Sequence, residues 1–300
     1  MLKIANHHIY KHPLPEGHRF PMEKYDLLPK QLLHEGTCEE DNFFEPDFAE
    51  ESHILKVHAA EYVKRLKNLE LTKKEIRVSG FPLSQELVDR EQIIADGTLK
   101  ACHFALENGI SMNIAGGTHH AYTNRAEAFC LLNDQAIGAR YLQAKGLAKK
   151  ILIVDLDVHQ GNGTAEIFQN DDSVFTFSMH GKGNYPFRKE KSDLDIELAD
   201  GTGDAEYLKK LKSTLPDLIE RTEPEFIFYL CGVDILETDK LGRLSCSISG
   251  CKERDRYVLQ TCHDLGIPVE CSMGGGYSKD IKLIIDAHAN TYRLAQQIYF

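Results

Sequence analysis

Apolar and polar positions divide most of the chain into short apolar runs that alternate with longer amphipathic stretches. The short runs predict strands at residues 2–6, 110–115, 151–154, 174–179, 226–232 and 267–272. Apolar residues that recur every three or four positions predict helices at 53–66, 85–108, 133–146, 204–221, 249–264 and 278–298. Strands separated by helices of this length indicate a parallel sheet that is covered on both faces.

The N-terminal part of the chain is less regular. Residues 12–30 are rich in Pro, Gly and His and predict an irregular loop, whose expected anchors are Phe20, Pro21, Met22 and Tyr25. No repeat, low-complexity tract or linker-like segment divides the sequence. We therefore expect residues 1–300 to form a single α/β domain with a central, mostly parallel sheet and helices on both faces.

The strand at 151–154 leads directly into the sequence DLDVHQGNGT. Asp155, Asp157 and His159 lie at every second position, so an extended backbone turns their side chains to one side. Residues 161–163 then predict a glycine-rich turn. Two carboxylates and an imidazole at the end of a buried strand need a cationic partner, and a metal ion is the simplest one. Solvated acids at a strand end are the alternative, which does not explain why the run leaves an apolar core directly.

Other predicted strands also end in polar or glycine-rich sequences. His119 and His120, Asp234, and the sequence GGGY at 274–277 each follow a different strand. In open parallel sheets, ligands bind outside the carboxyl ends of the strands. Four separate segments are therefore expected to meet at one site.

These residues have the chemistry of an amide hydrolase. Asp157, His159 and Asp234 would supply the three protein ligands that are typical of a catalytic zinc ion. The two adjacent histidines offer a general base, and the hydroxyl group of Tyr277 can donate to an oxyanion. Each part alone is more often structural than catalytic. Their common placement at one sheet edge favours metal-assisted hydrolysis.

Charge and composition restrict the partners. The net charge of −11, from 35 basic and 46 acidic residues, argues against direct nucleic-acid binding and would suit cationic substrates such as lysine-rich segments or polyamines. No apolar run has the length of a membrane span, and the sequence starts without a signal-peptide apolar region, so we expect a cytoplasmic protein without membrane contact. The eight cysteines include no C-x-x-C pair and are expected to be free, buried thiols.

The polar segments together resemble the metal-dependent histone deacetylase family, which has the arginase/deacetylase fold. The resemblance runs in order from about residue 110 to the end of the chain. It rests on GGTHH (116–120), AFCLLND (128–134), DLDVHQGNGT (155–164), FSMH (177–180), DGTGD (200–204), GVDILETDKLG (232–242) and GGGY (274–277). Within the family, HQGNG and DILExDxLG are most similar to the class IV branch and its bacterial relatives.

The resemblance implies a zinc-dependent deacetylase that removes acetyl or longer acyl groups from lysine side chains. One catalytic zinc ion would be bound by Asp157, His159 and Asp234. Tyr277 would polarise the acyl carbonyl group. His119, paired with Asp155, and His120, paired with Asn162, would flank the attacking water, with His120 as the principal general acid and base.

The resemblance also implies a narrow tunnel for the acyl-lysine chain and a second ion. Phe129 would form one wall of the tunnel, with Leu241 nearby and Gly275 in contact with the substrate. Either Tyr185 or Phe187 would form the opposite wall. A structural potassium ion would be bound by Asp155, Ser178 and the carbonyl groups of Asp157, His159 and Met179.

Three other functions compete with lysine deacylation. A ureohydrolase of the same fold would use two manganese ions and needs further carboxylates where this sequence has Gly161 and Leu236, so we expect about one catalytic ion per chain. Deacetylation of acetylpolyamines or other small amides stays open, because the motifs do not specify the substrate. An inactive acyl-lysine-binding module is disfavoured, since the ligands, both histidines and Tyr277 are all present.

Asn162 generates a prediction, because most classes of the family have aspartate at this position. An amide stabilises an imidazolium less than a carboxylate does, so the pKa of His120 should be lower here than beside an aspartate. Replacing Asn162 with Asp should raise that pKa and move the acidic limb of the pH–rate profile to higher pH. An acidic limb at the same pH in both proteins would contradict this assignment.

Overall fold

The computed structural model describes residues 1–300, and its strands form one eight-stranded, all-parallel sheet. In chain order the strands are β1 (Lys3–Ala5), β2 (Phe43–Phe44), β3 (Ile110–Asn113), β4 (Ile151–Asp155), β5 (Val174–Gly181), β6 (Leu194–Leu198), β7 (Phe226–Leu230) and β8 (Val269–Ser272). Their order across the sheet is β2-β1-β3-β8-β7-β4-β5-β6. The predicted α/β class and parallel sheet are confirmed.

Ten helices surround the sheet. They are α1 (Lys24–His34), α2 (Glu51–Ile54), α3 (Ala60–Lys67), α4 (Lys73–Ser79), α5 (Gln85–Asn108), α6 (Asp134–Ala144), α7 (Asn162–Phe168), α8 (Asp204–Thr222), α9 (Ile248–Leu265) and α10 (Ile281–Tyr299). One group, α5 and α6, packs beside β1, β3 and β8, and another contains α1, α8, α9 and α10. Every residue of the four central strands is buried, as expected for a sheet covered on both faces. None of these helices has the length and apolar character needed to cross a bilayer.

Two of the predicted helices, α5 and α6, lie where the spacing of apolar residues predicted them. The helix predicted at 85–108 coincides with α5, whose first turn is capped by the Ser84 hydroxyl group 3.1 Å from the N–H of Leu87. Asn133 caps α6 in the same way, 3.0 Å from the N–H of Ala136. The predicted free, buried state of all eight cysteines is also confirmed.

The prediction of an irregular loop over residues 12–30 is wrong in its second half, because α1 begins at Lys24 and continues through Pro29. Leu28 and Leu32 are buried on its inner face, and the helix packs against α10. Tertiary packing therefore outweighs the unfavourable effect of an internal proline.

The helix predicted at 53–66 is interrupted around His58. The chain leaves α2 and passes through an extended residue, Ala59, before α3 begins. The buried imidazole of His58 donates to the carbonyl oxygen of Tyr122 at 3.0 Å and accepts from the N–H of Asn133 at 2.9 Å. These long-range hydrogen bonds explain a break that amphipathic spacing does not reveal.

Four short elements were not predicted: β2, β6, α4 and α7. β6 alternates in sequence as Leu194-Asp195-Ile196-Glu197-Leu198 and forms one edge of the sheet, where polar residues are common. The predicted turn at 161–163 is wrong in part, since Asn162 is the first residue of α7. Asn162 is therefore held by a helix rather than by a turn.

A buried ion pair in α9 holds the carboxyl ends of two central strands. Arg254 is fully buried and donates to the carbonyl oxygens of Leu156, Gly232 and Cys231 at 3.2, 2.6 and 3.2 Å. Its Nε donates to Asp255 at 2.8 Å. The guanidinium thus provides hydrogen-bond donors for the backbone carbonyl groups near the site residues that follow β4 and β7.

Replacing Arg254 with Leu should lower the free energy of unfolding by about 3–5 kcal/mol, because Asp255 would be left as an unpaired buried charge. Arg254→Lys, which keeps the charge but has fewer donors, should give an intermediate loss. Arg256→Leu is the matched control, since this partly exposed arginine of α9 pairs only with Glu253 and should cost less than about 1 kcal/mol. Urea unfolding measures all three, and equal losses for Arg254→Leu and Arg256→Leu would contradict the structural role of Arg254.

Candidate active site

The four central strands bring the polar segments together. β3, β8, β7 and β4 are neighbours in that order, and all four end at the same edge of the sheet. The segments that follow them contain the two adjacent histidines, the GGGY sequence, Asp234 and the D-x-D-x-H run. Residues of three of these segments line a common cavity, and Asp234 lies behind its wall, within hydrogen-bond distance of His159.

Asp157, His159 and Asp234 form a buried cluster in which one ligand atom of each residue lies within 4.8 Å of the others. Nδ1 of His159 is 3.0 Å from Oδ1 of Asp157 and 3.2 Å from Oδ2 of Asp234. The second oxygen of each carboxylate accepts a backbone N–H at 2.9 Å, from Gly275 for Asp157 and from Val158 for Asp234. The carboxylates are thereby oriented, and their convergence with an imidazole nitrogen fits the donor set of zinc.

The electrostatics of this cluster also suit a cation. Burial opposes protonation of His159, but hydrogen bonds to Asp157 and Asp234 raise its pKa to about 10. Burial and the neighbouring charge of Asp157 raise the pKa of Asp234 to about 7. Without a metal ion, the two carboxylates favour a proton on His159. A divalent ion would replace the positive charge of that proton.

His119 and His120 lie beside the cluster with ring centroids 4.1 Å apart. Nδ1 of His119 is 2.7 Å from Asp155, and Nδ1 of His120 is 2.6 Å from the carboxamide oxygen of Asn162. Burial opposes protonation of His119, but the Asp155 carboxylate raises its pKa above the ordinary value. Burial, with charge on His119 and His159, holds the pKa of His120 well below its ordinary value. The neutral form that can accept a proton is therefore favoured at His120.

The other end of the Asn162 side chain meets a residue that the sequence did not single out. Its Nδ2 donates to Oε1 of Glu127 at 2.9 Å and to the hydroxyl oxygen of Tyr122 at 3.0 Å. Glu127 lies in the AEAFC segment, 35 residues before Asn162. No spacing rule connects the two positions, so only the fold reveals the contact.

Tyr277 faces the cavity with its ring centroid 6.4 Å from that of His159. Its backbone N–H donates to Oδ2 of Asp239 at 2.6 Å, which fixes the end of the glycine-rich segment. Burial, with the negative charges of Asp157 and Asp234, raises the pKa of the hydroxyl group well above its ordinary value. Tyr277 therefore stays protonated and can act as a hydrogen-bond donor.

Lys24 lies next to Tyr277 and was missed by the sequence analysis. It is fully buried, and its Nζ donates to the carbonyl oxygen of Gly274 at 2.9 Å. The ammonium group also lies 5.3–5.7 Å from the ring centroids of Phe20, Tyr25 and Tyr277. Burial lowers the pKa of Lys24 to about 8, against the opposing effect of the nearby carboxylates. The contact joins positions 250 residues apart, so no local pattern indicates it.

Gly275 packs directly on the cluster. A Cβ atom at this position would lie 2.0 Å from Oδ2 of Asp234, which explains why glycine is required. Its N–H donates to Asp157, and its carbonyl oxygen accepts the N–H of Val233 at 2.8 Å. Both backbone polar groups therefore have partners within the protein.

Phe129 forms one side of a cavity of about 290 Å³ that leads from the cluster to the surface. Ala128 and Phe129 have left-handed backbone conformations, with φ of 43° and 68°. Their N–H groups donate to the carbonyl oxygens of Val78 and Ser79 at the end of α4, at 3.0 and 2.6 Å. Gly80 leaves room for the ring, since a Cβ there would lie 2.8 Å from Phe129.

The structure places Tyr185 and Phe187 differently. The Tyr185 ring meets the His120 ring edge-on at 5.3 Å, and its hydroxyl group donates to Glu127. Phe187 also lines the cavity, but 84% of its surface is exposed. Leu241 lines the same cavity. Tyr185 therefore forms the inner wall beside His120, and Phe187 lies at the mouth.

The residues predicted to bind potassium lie behind the cluster. Ser178 is the β5 partner of Asp155 in the sheet register, and both residues are buried, as is Met179. The Ser178 hydroxyl group is 2.9 Å from Nδ1 of His180, the last residue of the FSMH motif. Asp155 therefore contacts His119 through its side chain and is paired with Ser178 of β5 through the sheet register.

Comparisons with known proteins agree with this architecture. A protein of Picosynechococcus sp. described as uncharacterized is 43% identical over 296 residues, which are 99% of both chains. Histone deacetylase 2 of Arabidopsis thaliana is 30% identical over 286 residues, which are 92% of this chain and 74% of the relative. The crystal structure of a histone deacetylase homolog complexed with SAHA has a TM-score of 0.82 at 24% identity, covering 98% of this chain and 82% of the other.

The family comparison covers most of the chain. The model of the histone deacetylase domain matches residues 18–291, a range that begins before α1 and includes every residue of the cluster, both adjacent histidines and Tyr277. The match therefore extends into the N-terminal region, well before residue 110, where the resemblance of the sequence motifs begins. With its parallel sheet, its buried Asp-His-Asp cluster and this match, the chain belongs to the histone deacetylase family.

Proposed function

We propose that the protein is a zinc-dependent deacylase that hydrolyses the amide bond of acylated lysine side chains. The observation that carries this proposal is that the buried cluster of Asp157, His159 and Asp234 lies beside a cavity lined by His120 and Tyr277. Membership of the histone deacetylase family supports the same reaction. Assignment to the class IV branch rests on the HQGNG and DILExDxLG segments alone.

The residues of the cluster fit one zinc ion, which Asp157, His159 and Asp234 would hold. When bound, zinc would polarise the acyl carbonyl group and lower the pKa of a water molecule. A second catalytic ion would find no carboxylate at Gly161 or Leu236, so the two-metal chemistry of ureohydrolases is disfavoured. We further propose that Asp155, Ser178 and Met179 help to bind a structural potassium ion.

The remaining steps are assigned to side chains of this protein. His120 would accept the proton of the attacking water and return it to the amine leaving group. His119, which Asp155 holds in place, would hydrogen-bond to the same water. The hydroxyl group of Tyr277 would donate to the acyl carbonyl oxygen as negative charge develops on it. Phe129 and Tyr185 would flank the alkyl chain of the lysine and exclude bulk water from the amide.

The charges at the mouth of the cavity help to decide whether the substrate is an acylated lysine side chain or an acetylpolyamine. Although the whole chain is acidic, the charged residues that line this cavity, apart from its two histidines, are Arg19 and Arg243. The Arg19 guanidinium lies 5.0 Å from the ring centroid of Phe129. Arg243 is 3.3 Å from Asp200, and both side chains are about half exposed. Because a polyamine carries further ammonium groups that would approach these arginines, acylated lysine in a neutral or acidic context is favoured.

Replacing Tyr277 with Phe should lower kcat on an acetyl-lysine peptide by about 10²–10³-fold, since one donor to the developing oxyanion is lost. KM and the unfolding temperature should change little, because the ring remains in place. Steady-state kinetics with the zinc-loaded protein measures the effect. An unchanged kcat would rule out the role of Tyr277, and a protein that binds but never hydrolyses acyl-lysine would be a binding module.

A substrate panel tests the proposed amine. The zinc-loaded protein should hydrolyse acetyl-lysine and longer acyl-lysine peptides with a higher kcat/KM than acetylspermidine. The double variant Arg19→Glu/Arg243→Glu should shift the ratio of the two kcat/KM values toward acetylspermidine by roughly tenfold at low salt, and less at high salt. Arg221→Glu/Arg256→Glu, on α8 and α9, is the matched control with the same change of charge. Preference of the parent protein for acetylspermidine would overturn the assignment to lysine.

A further inference from the structure

The carboxamide of Asn162 occupies a position where its orientation decides the chemistry of His120. An amide presents an oxygen that accepts and a nitrogen that donates, and rotation of the group by half a turn exchanges them. An oxygen facing Nδ1 of His120 requires a proton on Nδ1 and leaves the lone pair on Nε2. A nitrogen facing Nδ1 requires the lone pair there and places the proton on Nε2. Only the first arrangement lets Nε2 accept a proton.

Unlike a carboxylate, asparagine alone does not select between these arrangements. The selection must come from what lies behind the carboxamide. Two groups accept from its nitrogen: the hydroxyl oxygen of Tyr122, which donates its own proton to Glu190 but could rotate it toward Asn162, and the carboxylate of Glu127, which has no such freedom. An ionised carboxylate only accepts hydrogen bonds, so it admits only the nitrogen of Asn162.

We propose that Glu127 is a positioning residue that fixes the tautomer of His120 through Asn162, an inference that rests on the proposed role of His120 as the general base. Its carboxylate holds the amide nitrogen at 2.9 Å, which directs the amide oxygen to Nδ1 of His120 at 2.6 Å. Nδ1 must then donate, and the lone pair lies on Nε2. The nearest carboxylate on this side of His120 is thus separated from it by the side chain of Asn162.

The surroundings of Glu127 hold its carboxylate in one orientation. Its side chain is only 12% exposed, and Nε of Arg125 lies 3.4 Å from Oε2. Oε1 receives the hydroxyl group of Tyr185 as well as the amide of Asn162. Donors and a guanidinium thus surround the group and fix the direction of its two oxygens. The same oxygen that orients Asn162 also holds the tyrosine whose ring packs against His120.

Glu127→Gln tests the proposal, because glutamine keeps the size of the side chain and can offer Asn162 either a donor or an acceptor. In the zinc-loaded protein, kcat on an acetyl-lysine peptide should fall by about tenfold, with KM within about twofold of the parent value. Glu190→Gln is the matched control: Glu190 accepts from Tyr122 at 3.1 Å but does not touch Asn162, and its kcat should stay at the parent value.

Moving the carboxylate from position 127 to position 162 tests whether Glu127 orients His120 or only supports the local structure. In Glu127→Gln/Asn162→Asp the net charge is that of the parent, but the acceptor-only group now lies directly beside His120. The kcat of this double variant should lie within about threefold of the parent value. Asn162→Asp alone places two carboxylates against each other, so its kcat should be lower than that of the double variant. Failure of the exchange to restore kcat would show that Glu127 acts only on the local structure and would overturn the proposal.

A direct reading of the tautomer does not depend on activity. With ¹⁵N-labelled histidine, the parent protein should show an Nδ1–H signal for His120, assigned by its loss in His120→Gln. Glu127→Gln should weaken that signal in favour of an Nε2–H signal, and an unchanged spectrum would overturn the proposal. If the parent hydrolysed no acyl-lysine substrate, the proposed function would fail, while this spectrum would still decide on Glu127.

Discussion

Two buried carboxylates that share one imidazole nitrogen are the constraint on which the rest of this structure depends. Asp157 and Asp234 follow different strands, yet both approach Nδ1 of His159. Bringing two negative charges together in a low-dielectric interior is unfavourable unless a cation lies between them. The fold supplies partial compensation through backbone N–H groups from Val158 and Gly275, and a bound metal ion would complete it.

That constraint explains why so much polar structure is buried behind the site. The guanidinium of Arg254 satisfies the carbonyl groups at the ends of β4 and β7, and Lys24 does the same for Gly274 beyond β8. Neither cation forms an ion pair with Asp157 or Asp234, and both hold in register the strand ends from which the cluster residues project. Rigid support of this kind keeps ligand atoms close together despite their repulsion.

The sequence predicted those parts of the structure whose information is local. The bounds of α5 follow from apolar residues that recur every three or four positions, and Asp157 and His159 follow from two-residue spacing at a strand end. Parallel topology then placed His119, Asp234 and Tyr277 at one edge. In contrast, α1, the break at His58 and the contacts of Lys24 and Glu127 depend on partners dozens to hundreds of residues away, which no periodicity encodes.

The wall formed by Phe129 has a thermodynamic consequence for substrate binding. Its left-handed backbone is unfavourable for a residue with a side chain, by about 1–3 kcal/mol, and two hydrogen bonds to the end of α4 hold it there. The conformational freedom of this segment is therefore lost when the chain folds and not when a ligand enters. A ligand chain that entered the cavity would therefore meet this wall already in its final shape and would not have to order it.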